Sequence, residues 1–402
     1  MKDIRIAVLG GDRRGRLSLL AHRPKEGFVL AAAYSLTPER LGFYPERCGS
    51  EFLVTDDYTE ILARDDIDVV FICTPDYLHE EHAIAALRQG KHVFLEKPMA
   101  ITTEGCDRIM QTARETGRKL YVGHNMRFCP VMTKVKEVID QGMIGTVEAI
   151  WCRHFVNYGG DSYFKDWHSE RAYTNSLLLQ KASHDIDMIH WLAGAYTMTT
   201  VGMGKLSVYN RVQDRRSPLQ PSAPRESRES SHKNWPPLAQ KQLSPNIDVE
   251  DHSMILMHLA NNVQANYMQC HYTPDERRNY SVIGTEGRVE NYGDYSTRSF
   301  QAEVHVWNKR CGQGMRGQEV YPIPFFEGDH GGADEIMIKD FLRFLKGEKT
   351  IGACPIDARM SVAVGCAATD SIRNGNIPFG VSLPSPEVSG AGCCVANEMG
   401  VS

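Results

Sequence analysis

Apolar residues in the first third of this chain come in short unbroken runs. Ile4–Leu9, residues 28–33, residues 68–73, Val93-Phe94-Leu95 and residues 119–122 each fill three to six positions with little interruption. Runs of that length without alternation predict strands covered on both faces. The segments between them carry helical spacing: Leu17, Leu19 and Leu20; then Ala83, Ala86 and Leu87, closing on Gly90 at the position where helices turn left-handed; then Ile109 and Ala113. Strands alternating with helices of this length predict a parallel, doubly wound α/β sheet.

Past Gly123-His124-Asn125-Met126-Arg127-Phe128 the pattern changes. A helix is expected over 131–141, followed by strands with period-two alternation. Residues 147–155 give the first, and 253–259 with 263–269 predict a hairpin around Asn261-Asn262. Residues 280–287 predict a strand and tight turn; 334–345 and 358–372 predict amphipathic helices. The stretch 211–245 is rich in Ser, Pro and Arg, without pattern, and predicts a long surface loop. The expected division is a first domain over 1–125, a second over 126–385 carrying that insertion, and a disordered tail over 386–402.

Composition narrows the function. A chain of 402 residues has room for two domains, and a net charge of −5 gives no reason to expect nucleic acid or an anionic membrane. No apolar run approaches a membrane span, and Met1-Lys2-Asp3-Ile4 leads straight into a strand with no secretory signal. The 11 cysteines include no Cys-x-x-Cys pair, so neither a zinc site nor a disulfide framework is expected. A reducing cytoplasm is the compartment this predicts.

Two stretches carry chemistry. The first strand runs into Gly10-Gly11-Asp12-Arg13-Arg14-Gly15 and a helix, the context in which a glycine fingerprint signals a dinucleotide. Gly10 and Gly15 fit G-x-G-x-x-G, but Asp12 takes the middle glycine's place. A carboxylate there repels a pyrophosphate unless it turns outward and lets Arg13 and Arg14 face the phosphates. The second strand ends at Tyr34-Ser35, where an acid would hold the ribose 2′-hydroxyl of NAD; Ser35 with Arg40 nearby tilts the choice towards NADP or tolerance of both. The other stretch is Glu96-Lys97-Pro98, which emerges at a strand's carboxyl end, where open α/β sheets place ligands.

In order, Val8 to Gly15, Cys73-Thr74-Pro75-Asp76-Tyr77-Leu78-His79, Gly90 to Pro98 and Gly123 to Phe128 resemble the glucose-fructose oxidoreductase, inositol dehydrogenase and rhizopine-catabolism (Gfo/Idh/MocA) family. The likeness continues through Phe164-Lys165-Asp166-Trp167-His168, Ser183 to Gly194 and Ile283-Gly284-Thr285-Glu286-Gly287. It implies an N-terminal Rossmann domain, a C-terminal α/β domain with a large, mostly antiparallel sheet, and assembly as a homodimer or homotetramer through that sheet. It implies NAD or NADP as cofactor and a sugar, sugar derivative or cyclitol as substrate. By resemblance, Lys97 and His184 are the catalytic pair, and the Lys97-Pro98 bond is expected cis. Thr74, Pro75, Leu78 and His79 form the loop beside the cofactor; Glu96, Asn125 and Trp167 join Gly10 to Gly15, Ser35 and Arg40 around it. Gln180, Lys181, Arg127, Tyr163 and His271 are the candidate substrate-binding residues.

The chain departs from the family just before His184. Gln180 stands where relatives carry an acid, and an amide hydrogen-bonds but accepts no proton at neutral pH. Lys181 adds a second cation, which if near Lys97 would help one ammonium act as a base. The reaction expected is hydride transfer between the nicotinamide and a secondary hydroxyl, with Lys97 taking the proton. A redox-neutral glycoside hydrolase or lyase that keeps its cofactor is the enzymatic alternative. A cofactor- or sugar-binding sensor without turnover is the other.

Overall fold

The computed structural model describes residues 3–218, 234–314 and 316–385. The expected disorder of 386–402 and the middle of the 211–245 insertion lie outside them. The chain forms two compact units. The first holds residues 3–128 with Gly332–Arg359, and the second holds Cys129–Gly331 and Met360–Leu383.

The first unit is built on six parallel strands: β1 (Ile4–Leu9), β2 (Phe28–Tyr34), β3 (Leu53–Thr55), β4 (Val69–Ile72), β5 (His92–Leu95) and β6 (Leu120–Val122). Their order is 3-2-1-4-5-6, the doubly wound arrangement. Ile6 to Leu9, Val69 to Ile72 and Val93 to Leu95 are all buried, as unbroken apolar runs require. Phe71 and Phe94 stack at 4.6 Å, and Phe341 stands edge-on to both, at 5.3 and 5.2 Å. Such ring pairs add to the gain from burial.

Phe341 belongs to the helix Ala333–Leu345, so a segment expected in the second domain is part of the first unit's core. Polar bonds hold it there. Tyr121 Oη donates to Asp340 (3.0 Å), and Lys119 Nζ donates to the Phe344 and Leu345 carbonyls (2.8 Å each). Nothing in the helix's own spacing signals these partners.

The second unit is a nine-stranded sheet. Its strands are β7 (Val147–Phe155), β8 (Thr197–Lys205), β9 (His252–Leu259), β10 (Gln264–Cys270), β11 (Arg277–Gly284), β12 (Arg288–Tyr292), β13 (Glu303–Trp307), β14 (Glu319–Pro322) and β15 (Phe379–Gly380). All pairings are antiparallel except β7 with β10. Alternation along β9 and β10 buries Ile255, Met257, Ala265 and Tyr267 on one face, and the helix Leu177–Ala193 packs against β10 and β7. Trp151, Met254 and Leu256 look outward and are exposed.

The described flanks of the insertion are largely exposed, with a few buried anchors. Val212 and Leu243 join the buried cluster of Val156, Tyr163, Phe164 and Tyr209, and Gln240 Nε2 donates to buried Asp161 (2.9 Å). The apolar side chains are too widely spaced there to show a period.

Candidate active site

In the first unit the site grows from the turn after β1. Gly10 has φ +81°, and a Cβ there would lie 2.6 Å from the Cys73 carbonyl oxygen, so only glycine lets β1's exit approach that of β4. A Cβ on Gly15 would lie 2.1 Å from the Gly10 carbonyl oxygen. These are the first and third fingerprint roles, a tight turn and close packing of helix against strand. The following helix, Arg13–Ala21, winds as 3-10 rather than α.

Asp12 does what the middle position requires of a carboxylate. It caps Arg13 N–H at 2.8 Å and faces Arg40 at 3.7 Å. Arg14, expected towards the phosphates, is taken by two acids instead. Its Nε meets Glu96 Oε1 at 2.6 Å, and its Nη1 and Nη2 meet Asp334 at 2.5 and 3.1 Å. Burial works against its charge, but Glu96 and Asp334 outweigh that and hold the guanidinium protonated. Asn125 Nδ2 also donates to Asp334 (2.8 Å), so Asn125 serves this knot. Tyr44, which the sequence pattern did not single out, reaches from beneath. Its hydroxyl lies 2.9 Å from the carbonyl oxygens of both Gly11 and Gly15, and burial raises its pKa.

Ser35 follows β2, its hydroxyl accepting the Thr37 N–H (3.2 Å). At β4's end Thr74 Oγ1 lies 3.0 Å from His82 Nδ1; burial pushes that imidazole down to about 4, so it is neutral near pH 7. His79, expected beside the cofactor, is buried and bridges two loops: its Nδ1 is 2.7 Å from the Pro98 carbonyl and its Nε2 2.9 Å from that of Thr74. Burial lowers its pKa, against the pull of those carbonyls. Its role is to tie Thr74 to the Lys97-Pro98 turn. Pro75 and Leu78 are half-buried in the same loop. The Lys97-Pro98 peptide is cis, and the Lys97 N–H donates to Glu96 Oε2 (3.2 Å). Lys97 itself is half-buried. Arg127, a substrate candidate in sequence, is buried in an ion pair with Asp357 at 3.1 Å. That pairing commits one nitrogen of its guanidinium to the protein itself.

In the second unit the helix Leu177–Ala193 starts at Ser176, whose hydroxyl accepts the Leu179 N–H (3.0 Å), and carries Gln180, Lys181 and His184. Gln180 is buried, and His184 is half-buried. Lys181 Nζ lies 4.5 Å over the ring of Tyr163. Around that ring stand His168 at 5.2 Å and His271 at 5.4 Å, with Trp167 stacked on His168 at 3.6 Å. The structure therefore brings Lys181, Tyr163, Trp167 and His271 together, and adds His168.

Beneath His184, its neighbour Asp185 is fully buried. Arg278 pairs with it at 3.0 and 3.2 Å, Tyr280 Oη donates to it, and His154 Nδ1 lies 3.4 Å away. Burial alone would raise the Asp185 pKa; Arg278 and the donated bonds reverse that and hold it below the usual carboxylate range. Burial, then Arg278, pushes His154 down to about 3. This network fastens the helix to β7 and β11. Its members are scattered across the sequence with no spacing rule to connect them.

The first unit's turn and strand order fit a dinucleotide. Residues 4–124 match the NAD-binding Rossmann fold of an oxidoreductase family, and residues 136–382 match that family's C-terminal alpha/beta domain. The chain belongs to the Gfo/Idh/MocA oxidoreductases. Its relatives include levoglucosan dehydrogenase of Pseudarthrobacter phenanthrenivorans, 25% identical over 85% of this chain and 89% of that protein. An inositol 2-dehydrogenase of Klebsiella pneumoniae is 34% identical over 36% of this chain and 40% of its own length. A solved levoglucosan dehydrogenase in complex with NADH and levoglucosan superposes with a TM-score of 0.75 at 21% identity, covering 94% of this chain and 100% of that one. This Gfo/Idh/MocA protein is an NAD-binding oxidoreductase. Among its described residues no helix is long and apolar enough to cross a membrane.

Proposed function

We propose that this oxidoreductase moves a hydride between NAD or NADP and a secondary hydroxyl or ketone of a sugar, sugar derivative or cyclitol. The observation that carries the reading is the position of Lys97. It is the second residue past β5, which lies next to β4 in a sheet whose β1 ends in the glycine turn. Ligands of open α/β sheets bind at such carboxyl ends. The relatives named for inositol and levoglucosan support the substrate class.

Bound NAD(P) supplies the hydride acceptor or donor. Gly10, Gly11 and Gly15 form the close-packed turn for its pyrophosphate; Ser35 and Arg40 flank its adenosine ribose, and the missing acid there supports use of NADP as well as NAD. Lys97 takes or returns the hydroxyl proton at Nζ. His184 orients that hydroxyl. Gln180, Lys181, Tyr163 and His271 bind further substrate oxygens. The outward face of the second unit's sheet, with Trp151, Met254 and Leu256 exposed, is the surface we assign to self-association.

The test is a panel of sugars and cyclitols followed at 340 nm with each cofactor. Turnover with at least one polyol, lost in Lys97→Met, is the expected result. Cofactor binding with no turnover across the panel would favour a sensor.

A further inference from the structure

We infer that the substrate carries a carboxylate, received on the inner face of the second unit's sheet by His271, Gln269 and Lys181. This rests on the oxidoreductase reading above and names the substrate more closely.

Two buried polar groups carry the argument. Along β10, Ala265, Tyr267 and Gln269 alternate inward, and His271, just past the strand's end, continues the same period. Gln269 and His271 are both 0% exposed. Neither ring nitrogen of His271, nor Nε2 of Gln269, makes a hydrogen bond to a described residue. Buried polar atoms are nearly always bonded, so three on one face call for a ligand. The backbone holds them in place: His271 N–H donates to the Asp251 carbonyl (3.0 Å), and Tyr209 Oη donates to the His271 carbonyl (2.7 Å). The Gln269 Oε1 already accepts from Tyr267 (3.3 Å), which leaves its amide N–H₂ as donor.

The surroundings decide the sign of the ligand. Lys181 lies over Tyr163, whose ring is 5.4 Å from that of His271. His154, from β7, and His168 complete the basic groups acting on His271; with burial as the largest cause, they and Lys181 push its pKa well down. Four acids of these and neighbouring segments are bonded already. Asp185 holds Arg278, Asp161 holds Lys165 (2.8 Å) and Gln240, and Asp166 holds His168 (2.6 Å). Asp251 accepts the N–H groups of Ser207, Val208 and Tyr209. An ammonium, an amide N–H₂ and an imidazole N–H thus lie among acids, Asp185, Asp161, Asp166 and Asp251, that are committed to other partners. Oxygen acceptors bearing negative charge match these three donors, and charge-assisted bonds of that kind are the strong ones.

The test uses the full-length enzyme saturated with NAD. Sodium D-gluconate and D-glucitol, six-carbon chains that differ at one end by a carboxylate, are titrated by calorimetry. Gluconate is expected to bind at least ten-fold tighter. In Lys181→Gln that ratio should fall below three-fold; in His271→Gln, with an unchanged melting profile, it should fall as well. Equal affinities, tighter glucitol, no binding of either by NAD-loaded enzyme, or a ratio that survives Lys181→Gln would overturn the inference. Failure to bind NAD at all would show instead that the oxidoreductase reading is wrong, and the inference would fall with it.

Discussion

Arg14 and Asp334, far apart in sequence, meet in a two-pronged ion pair, Nη1–Oδ2 at 2.5 Å and Nη2–Oδ1 at 3.1 Å, while Arg14 Nε holds Glu96. The glycine turn, the strand end that carries Lys97 and the helix Ala333–Leu345 are therefore joined through one side chain. Arg14→Met leaves two buried carboxylates without their shared cation. We expect a stability loss of about 3 kcal/mol, the low end for a broken buried pair because Arg14 is itself partly exposed. Urea denaturation measures it, and Arg14→Lys should recover only part, since one ammonium cannot reproduce the fork.

Gly15→Ala is expected to abolish cofactor binding, because its Cβ would lie 2.1 Å from the Gly10 carbonyl oxygen. Gly42→Ala, where nothing lies within 4 Å and φ is −54°, should leave binding unchanged. Tyr44→Phe removes the hydroxyl under Gly11 and Gly15, and should cost about 1 kcal/mol and a several-fold rise in cofactor Kd. Quenching of protein fluorescence by NADH reads all three.

Acid sensitivity follows from His154. Its folded pKa of about 3 lies below the ordinary value near 6.5, so the unfolded chain binds the proton first. Its contribution is constant above pH ~6.5 and is lost as pH falls from there towards 3, with a slope of up to about 1.4 kcal/mol per pH unit. His154→Gln should flatten the stability curve between pH 6 and 4. Asp185, held low by Arg278, adds its own loss only below pH ~4, the ordinary aspartate range.

Much of this was legible in the sequence, and the reasons are local. Unbroken apolar runs gave β1, β2, β4, β5 and β6, and alternation gave β7 and the β9–β10 hairpin, whose turn places Asn262 at φ +67°. The short strands β3, β14 and β15 have too few positions for a period to show. Lys97 and the glycine turn stood out because strand-end chemistry is contiguous in sequence. The ion pairs of Arg14 and Arg127 were not foreseen because their partners, Asp334 and Asp357, are distant in the chain. Gln269 and His168 were missed because a buried, ligand-seeking side chain on a strand has the same spelling as a packed one.

Arg40 offers a test of cofactor choice. It faces Asp12 at 3.7 Å and stands near the end of β2, where Tyr34 and Ser35 take the place of the acid expected for NAD. Arg40→Ser should weaken NADP binding about ten-fold, the loss of roughly one charge-assisted contact, and leave NAD within about two-fold. Equal loss for both cofactors would remove Arg40 from the ribose site.

Lys97 is the centre of the account. The most direct measurement compares the wild type with Lys97→Met under saturating NAD or NADP, reading NAD(P)H formation at 340 nm from the best polyol of the panel. The account predicts retained cofactor binding and a fall in kcat of about 10²–10⁴-fold, the usual worth of a positioned acid–base group. Turnover by Lys97→Met within a few-fold of wild type would contradict it.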